Sequence, residues 1–260
     1  MSRKGQHFLV DSNIIERIAD WAELSSRDRV LEIGPGTGAL TEALSKRAGH
    51  VVAIEVDPSL ALALKGRFPN VSVLRANALK VPFPPFNKVV SNLPYQISTS
   101  ITLRLMRTPF DLAVLMYQKE FAERLFARPH HEGYGRLSAL AGYFFEGEII
   151  EKVQRSAFRP MPHIDSAVVR LSPRQGREAE DEDFLVGMVN TLFNQRRKSI
   201  RRSLASHIPG AALARLDGPL LDRRPEELGA RELAELSNSI LRAGGRGGSL
   251  IQPIGRQSQI

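Results

Sequence analysis

Asn92-Leu93-Pro94-Tyr95 joins a carboxamide, a proline-fixed turn and an aromatic ring, directly after the apolar run Val89-Val90-Ser91. At the end of a strand these residue types suit one task. They hold a planar aromatic amine and aim its nitrogen at an electrophile. Asn and Pro are also ordinary turn residues, so the tetrapeptide alone fits a plain strand-to-loop turn equally well. What precedes it in the chain has to decide.

Leu31-Glu32-Ile33-Gly34-Pro35-Gly36-Thr37-Gly38 reads as a glycine-rich turn between a strand and a helix. Such a turn admits backbone close to a ligand where a β-carbon would clash. In open α/β sheets, ligands bind there. Glu55 closes the next strand, where dinucleotide folds place a carboxylate that takes ribose hydroxyls. Glycines alone admit NAD, FAD or S-adenosylmethionine. The spacing here is Gly-x-Gly-x-Gly, and Glu32 stands immediately before it. An acid there crowds a pyrophosphate but suits a ligand carrying an ammonium and a sulfonium, which favours S-adenosylmethionine. Asn77 and Ala78 follow the third strand, where a bound adenine is met; Asn77 also fits a simple turn.

The elements that must position these residues alternate. Strands are expected over Arg29–Ile33, Val51–Glu55, Val71–Leu74, Lys88–Ser91 and Leu112–Met116. Helices are expected over 40–44, 60–68 and 97–106, and Asp11 is a plausible cap for an earlier one through Ile14, Ile15, Ile18 and Trp21. Alternation predicts a doubly wound, Rossmann-like α/β domain with a mostly parallel sheet. Further helices near Lys119 to Phe126 and Arg136 to Phe144 precede strands at Gly147–Val153 and Ala167–Leu171, paired through a return at 158–162. The polar run Pro173–Glu182 reads as a linker. The expected domains are 1–175, catalytic, and 176–242, small and all-helical, with a loose tail over 243–260.

The chain has 260 residues, a formal charge of +8 and no cysteine. Disulfides and thiolate metal sites are excluded, and an intracellular, cytoplasmic protein is expected. No apolar run is long enough to span a bilayer, so no membrane association is expected. The histidines lack metal-binding spacing, and no metal is expected. The basic balance, rich in arginine, points to a polyanionic partner. Its densest run holds Arg196, Arg197, Lys198, Arg201 and Arg202; Arg155, Arg159 and Arg170 lie around the loop at 158.

With these residues in place, the chain resembles the ribosomal RNA small-subunit adenine dimethyltransferase family, in its archaeal-like form. Lys4-Gly5-Gln6-His7-Phe8-Leu9, Leu31 to Gly38, Ala53-Ile54-Glu55-Val56-Asp57, Asn92 to Ile97, Gln118-Lys119-Glu120, Tyr134-Gly135-Arg136-Leu137, Phe158 to Val169 and Gln195-Arg196-Arg197-Lys198 match in order. The resemblance implies S-adenosylmethionine-dependent N6,N6-dimethylation of two adjacent adenosines near the 3′ end of small-subunit rRNA. It implies a monomer acting on a pre-30S particle. Gln6, His7 and Leu9 then close over the cofactor, Gly34 and Gly36 approach its methionine part, and Glu55, with Val56 beside it, binds the ribose. Asn77 and Ala78 frame its adenine. Asn92, bordering the cofactor, and the Leu93 carbonyl hold the target amine, Pro94 fixes the turn, and Tyr95 and Phe158 sandwich the target base; on periodicity alone Phe158 reads as core. The family usually has Asp where Asn77 stands, so a weaker hold on the cofactor is expected. The cations at 196–202 contact phosphates. Two rivals stand beside this reading: an RNA-binding relative without catalysis, and a DNA adenine N6-methyltransferase with a similar tetrapeptide. A nicotinamide dehydrogenase is a more distant third.

Overall fold

Asp11 accepts hydrogen bonds from the Asn13 and Ile14 amides at 3.0 and 3.2 Å. It thereby starts helix α1 (Ser12–Trp21), whose Ile14, Ile15 and Ile18 are buried. The computed structural model describes residues 6–246. Lys4 and Gly5 of the N-terminal motif and residues 247–260 of the expected tail lie outside them. Residues 243–246 continue from the last helix in a turn, and Arg246 pairs with Asp181.

The chain divides into two units, Met1–Glu123 with Phe145–Pro173, and Arg124–Phe144 with Arg174–Ile260. The first is built on strands β2 (Arg29–Ile33), β3 (His50–Glu55), β4 (Val71–Arg75), β5 (Lys88–Asn92), β6 (Leu112–Gln118), β7 (Phe145–Val153) and β9 (Ser166–Pro173). They form one sheet in the order β4-β3-β2-β5-β6-β9-β7. The first five are parallel, and β9 runs against both β6 and β7. The expected strand pairing through the 158–162 return is thus present. A second, two-stranded sheet pairs β1 (Phe8–Leu9) with β8 (Phe158–Arg159), Leu9 opposite Phe158. Periodicity gives no sign of strands this short.

Helix α2 (Ala39–Ser45) follows β2. With α1 it covers one face of the sheet, over a cluster that includes Leu44, Val51, Val90, Val114, Val168 and Phe158. Helix α3 spans Pro58–Leu64, earlier than the expected 60–68. Asp57 caps it through the Ser59 and Leu60 amides at 2.9 and 3.2 Å, and Pro58 occupies its first turn. Gly66, with φ of +76°, ends it. Helix α4 (Ser98–Leu105) sits between β5 and β6, and α5 (Lys119–Leu125) follows β6.

The second unit contains α6 (Arg136–Phe144), α7 (Glu182–Asn194), α8 (Ile200–Leu204), α9 (Gly210–Arg215) and α10 (Ala230–Arg242). The chain contributes to it twice, where the sequence suggests a single stretch. The reason is α6, which buries Ala139, Leu140, Tyr143 and Phe144 and packs on α7 and α10. Tyr134 reinforces this by donating to the Leu228 carbonyl at 2.6 Å. The run expected as a linker is tied down within the same unit: the Ala179 amide donates to Tyr143 Oη at 3.1 Å and Glu180 N to Asn238 Oδ1 at 2.8 Å.

Candidate active site

The strand order reverses between β2 and β5, both neighbours in the sheet but separated in sequence by β3 and β4. Ligands of open α/β sheets bind in the crevice beyond the strand ends at such a point. A cavity of about 250 Å³ lies there. Gln6, His7, Leu9, Gly34, Gly36, Glu55, Val56, Asn77, Ala78, Asn92, Leu93, Pro94 and Tyr95 all line it. Five segments distant in sequence therefore meet at one place.

The glycine turn is pressed between two partners. A β-carbon on Gly36 would stand 2.9 Å from the Phe8 ring, and one on Gly34 would meet Pro94. Gly34, Gly36 and Gly38 have φ of +72°, +57° and +86°, a region that L side chains rarely adopt. The Ser91 hydroxyl donates to the Ile33 carbonyl at 2.6 Å, joining the ends of β5 and β2.

Glu55 is buried, with Oε2 accepting from Gly36 N at 3.1 Å and Oε1 from Asp57 N at 2.8 Å. Its remaining lone pairs can take hydroxyls. Glu32 is only 1% exposed, and its Oε2 has no hydrogen-bond partner among the described residues. Burial pushes its carboxyl up to about 8, and the Glu55 charge adds to the rise. A buried oxygen without a partner, facing a cavity beneath a glycine cradle, is suited to a cationic ligand.

On the other side, Asn77 Oδ1 accepts from Leu79 N at 2.9 Å, so the side chain does hold its own turn. A carbonyl oxygen keeps a second lone pair for an adenine amine. Arg104, which the sequence reading missed, fixes this loop. Its guanidinium donates to the Ala78 and Val81 carbonyls and lies 3.7 Å over the Phe83 ring. An arginine in an amphipathic helix carries no local signal of such a role.

At the tetrapeptide, the Asn92 side chain has no hydrogen-bond partner among the described residues, and it borders the cavity. Tyr95 is held by its hydroxyl against Ser166 Oγ at 2.7 Å, and burial raises its pKa. Phe158 is 0% exposed, belongs to the apolar cluster beneath α1 and pairs with Leu9, beside the residues that line the cavity rather than among them. Arg170 does not border the 158 loop. It points to the opposite end of the sheet, paired with Glu23 at 2.7 Å.

Of the basic run, Arg196, Arg197 and Lys198 occupy the exposed turn between α7 and α8, while Arg201 and Arg202 lie on α8. Arg201 is 3.7 Å from Asp222. Among the described residues no group of three or more His, Asp or Glu is placed to hold a metal ion. No described helix is long and apolar enough to cross a membrane.

Sheet order, glycine cradle and edge cavity together are those of a Rossmann-like methyltransferase. Solved structures agree. A dimethyladenosine transferase from Plasmodium falciparum matches with a TM-score of 0.81 at 27% identity, covering 91% of this chain and 98% of that one. The 23S rRNA methyltransferase ErmE matches with 0.64 at 34%, covering 88% and 98%. A protein of Methanosarcina barkeri named "probable ribosomal RNA small subunit methyltransferase A" is 44% identical over 91% of this chain and 86% of its own length. One of the same name from Thermococcus onnurineus is 44% identical over 89% of both. Residues 2–224 match the family profile "Ribosomal RNA adenine dimethylase", and the chain belongs to that family. It is a ribosomal RNA adenine methyltransferase.

Proposed function

We propose that this enzyme uses S-adenosylmethionine to dimethylate N6 of two adjacent adenosines near the 3′ end of small-subunit rRNA, as a cytoplasmic monomer acting on a pre-30S particle. The observation that carries the reading is the Asn92 carboxamide, which borders the cavity at the carboxyl end of β5. The residues present fit the cofactor: Gly34 and Gly36 leave a cradle without side chains, Glu55 can take the ribose, and Glu32, whose Oε2 has no partner among the described residues, faces cationic groups. When bound, the cofactor supplies an electrophilic methyl group.

The remaining work falls to the chain. Adenine N6 is weakly nucleophilic because its lone pair is delocalised into the ring. Asn92 Oδ1 and the Leu93 carbonyl accept its two N–H groups, favour a pyramidal nitrogen and aim the lone pair. Tyr95 stacks on the base. Orientation and fixed dipoles account for the acceleration, and no strong base is required before attack. The proton on the alkylated nitrogen leaves to water afterwards. An adenosine in a loop or single strand is the cheapest to extrude into such a pocket. Arg196, Arg197, Lys198, Arg201 and Arg202 contact RNA phosphates, with the 176–242 helices as their platform.

The test is transfer of labelled methyl groups to purified immature small subunits, with the modified nucleotides mapped. Two adjacent dimethyladenosines near the 3′ end of the small-subunit rRNA are expected. Labelling of large-subunit rRNA or DNA in preference would refute the assignment.

A further inference from the structure

Residues 76–87 connect β4 to β5 without a helix or strand, and Ala76, Asn77 and Ala78 of this segment line the cavity. We propose that Arg104 is a positioning residue for the cofactor's adenine. From the helix that follows the Asn92–Tyr95 tetrapeptide, its guanidinium fixes the Asn77–Ala78 turn against the ring. This deepens the proposed reaction at the same site and rests on that reading, in which S-adenosylmethionine fills the cavity.

Pro82, Pro84 and Pro85 carry no N–H, so the segment is poor in donors for its own carbonyls. At one end the Ala76 amide donates to the Glu55 carbonyl at 2.9 Å. At the other, Arg29 Nε donates to the Pro85 carbonyl at 3.3 Å. The Leu79 and Lys80 amides donate to Asn77 Oδ1 and the Asn77 carbonyl, each at 2.9 Å, and these bonds stay within the turn. Arg104 ties the middle of the segment to the rest of the fold. It donates to the Ala78 and Val81 carbonyls, on either side of Leu79 and Lys80, and lies 3.7 Å over the Phe83 ring. A guanidinium offers five donors in a fixed fork and stacks on aromatic faces, so one side chain makes all three contacts.

The support is itself anchored. Arg104 stands in the last turn of α4, whose Ile101 and Leu105 are buried. Thr102 Oγ1 lies 2.8 Å from Tyr117 Oη of β6, and both residues are buried. The helix begins at Ser98, directly after the short turn Tyr95–Ile97. One packed helix thus leads from the acceptor tetrapeptide to the adenine loop. A loop held in place beforehand does not have to be ordered by its ligand, and the affinity is higher for it. Asn92, Leu93 and Tyr95 precede the helix, so Arg104 acts on how the cofactor is held and not on how the amine is aimed.

The experiment compares full-length wild type, Arg104→Met and Arg104→Lys. Methionine keeps an unbranched stem on Phe83 without donors, and lysine keeps donors. Calorimetry gives the affinities for S-adenosylmethionine and S-adenosylhomocysteine, and single-turnover transfer to immature small subunits gives the rate at saturating cofactor. Arg104→Met should bind both ligands about tenfold more weakly, by the same factor because they share the adenine. Its rate at saturating cofactor should stay within about threefold of wild type. Arg104→Lys should recover most of the affinity. Wild-type affinity in Arg104→Met would overturn the proposal. So would a saturating rate that falls in step with affinity, which marks a general loss of structure, or an Arg104→Lys variant no better than Arg104→Met. If Arg104→Met does not fold, Phe83→Leu takes its place: about threefold weaker binding is expected, and unchanged affinity overturns the proposal. Absence of S-adenosylmethionine binding by the wild type would instead remove the cofactor reading on which the proposal depends.

Discussion

Gly34 and Pro94 touch: a β-carbon on the glycine would lie 2.8 Å from the proline Cγ. The cofactor turn and the acceptor tetrapeptide are thus one packed unit, with the proline ring filling the space that the missing side chain leaves. Closeness of this kind places a donor and an acceptor within reach of each other, which is what group transfer needs.

Gly34→Ala tests this contact. The φ of +72° strains any L residue, and the added carbon collides with Pro94. The expected cost is about 1 to 3 kcal/mol in stability. Cofactor affinity should fall by more than about tenfold, because the turn can move only away from Pro94 or into the cavity. Calorimetric titration beside a denaturation curve measures both, and unchanged values would show that the two loops are independent.

Glu32 gives a pH signature. Its carboxyl ordinarily titrates near 4.5, and burial holds it near 8 in the fold. Between those values the folded chain binds a proton that the unfolded chain has released. The contribution to stability is complete below about 4.5 and is lost as pH rises toward 8, by at most about 1.4 kcal/mol per unit. Glu32→Gln removes this slope, so its melting temperature should gain on the wild type from pH 5 to pH 8. Parallel profiles for the two proteins would mean that Glu32 is not protonated in the fold.

Phe158→Ala separates core from site. Truncating a fully buried phenylalanine costs about 3 to 5 kcal/mol. Urea denaturation should register that loss. A variant of wild-type stability that fails only in methyl transfer would give Phe158 a role in the base pocket and none in the core.

The exposed cations of the second unit should act through phosphates. Arg197→Ala with Arg202→Ala leaves the Arg201–Asp222 pair intact and removes two exposed charges. RNA binding should weaken, and the slope of log affinity against log salt should flatten by about 1.4 to 1.8. Cofactor affinity should not change. An identical salt slope would remove this turn from the RNA interface.

The parallel half of the sheet was legible in the sequence because its strands are apolar runs punctuated by glycine and capping residues. Asp11 could be read as a cap before a periodic apolar face, and it is one. The residues before 100 that line the cavity were legible for a related reason: Glu32, Gly34, Glu55, Asn77 and Asn92 each lie within two residues of a strand's carboxyl end, and such ends converge in a doubly wound sheet. What escaped depended on long-range pairing. Leu9 meets Phe158 across a ladder of two residues, too short for any periodic pattern. Arg104 reaches the Ala78 loop only through tertiary packing. Arg170 looked adjacent to the 158 loop in sequence, but an extended strand carries it to the far end of the sheet beside Glu23.

The most direct measurement of the central claim is methyl transfer by Asn92→Ala to immature small subunits, with S-adenosylmethionine affinity measured on the same preparation. The account predicts loss of transfer by at least about a hundredfold, as when an oriented polar group of a transition state is removed, with the cofactor still bound. Near-normal dimethylation of small-subunit rRNA by Asn92→Ala would contradict it.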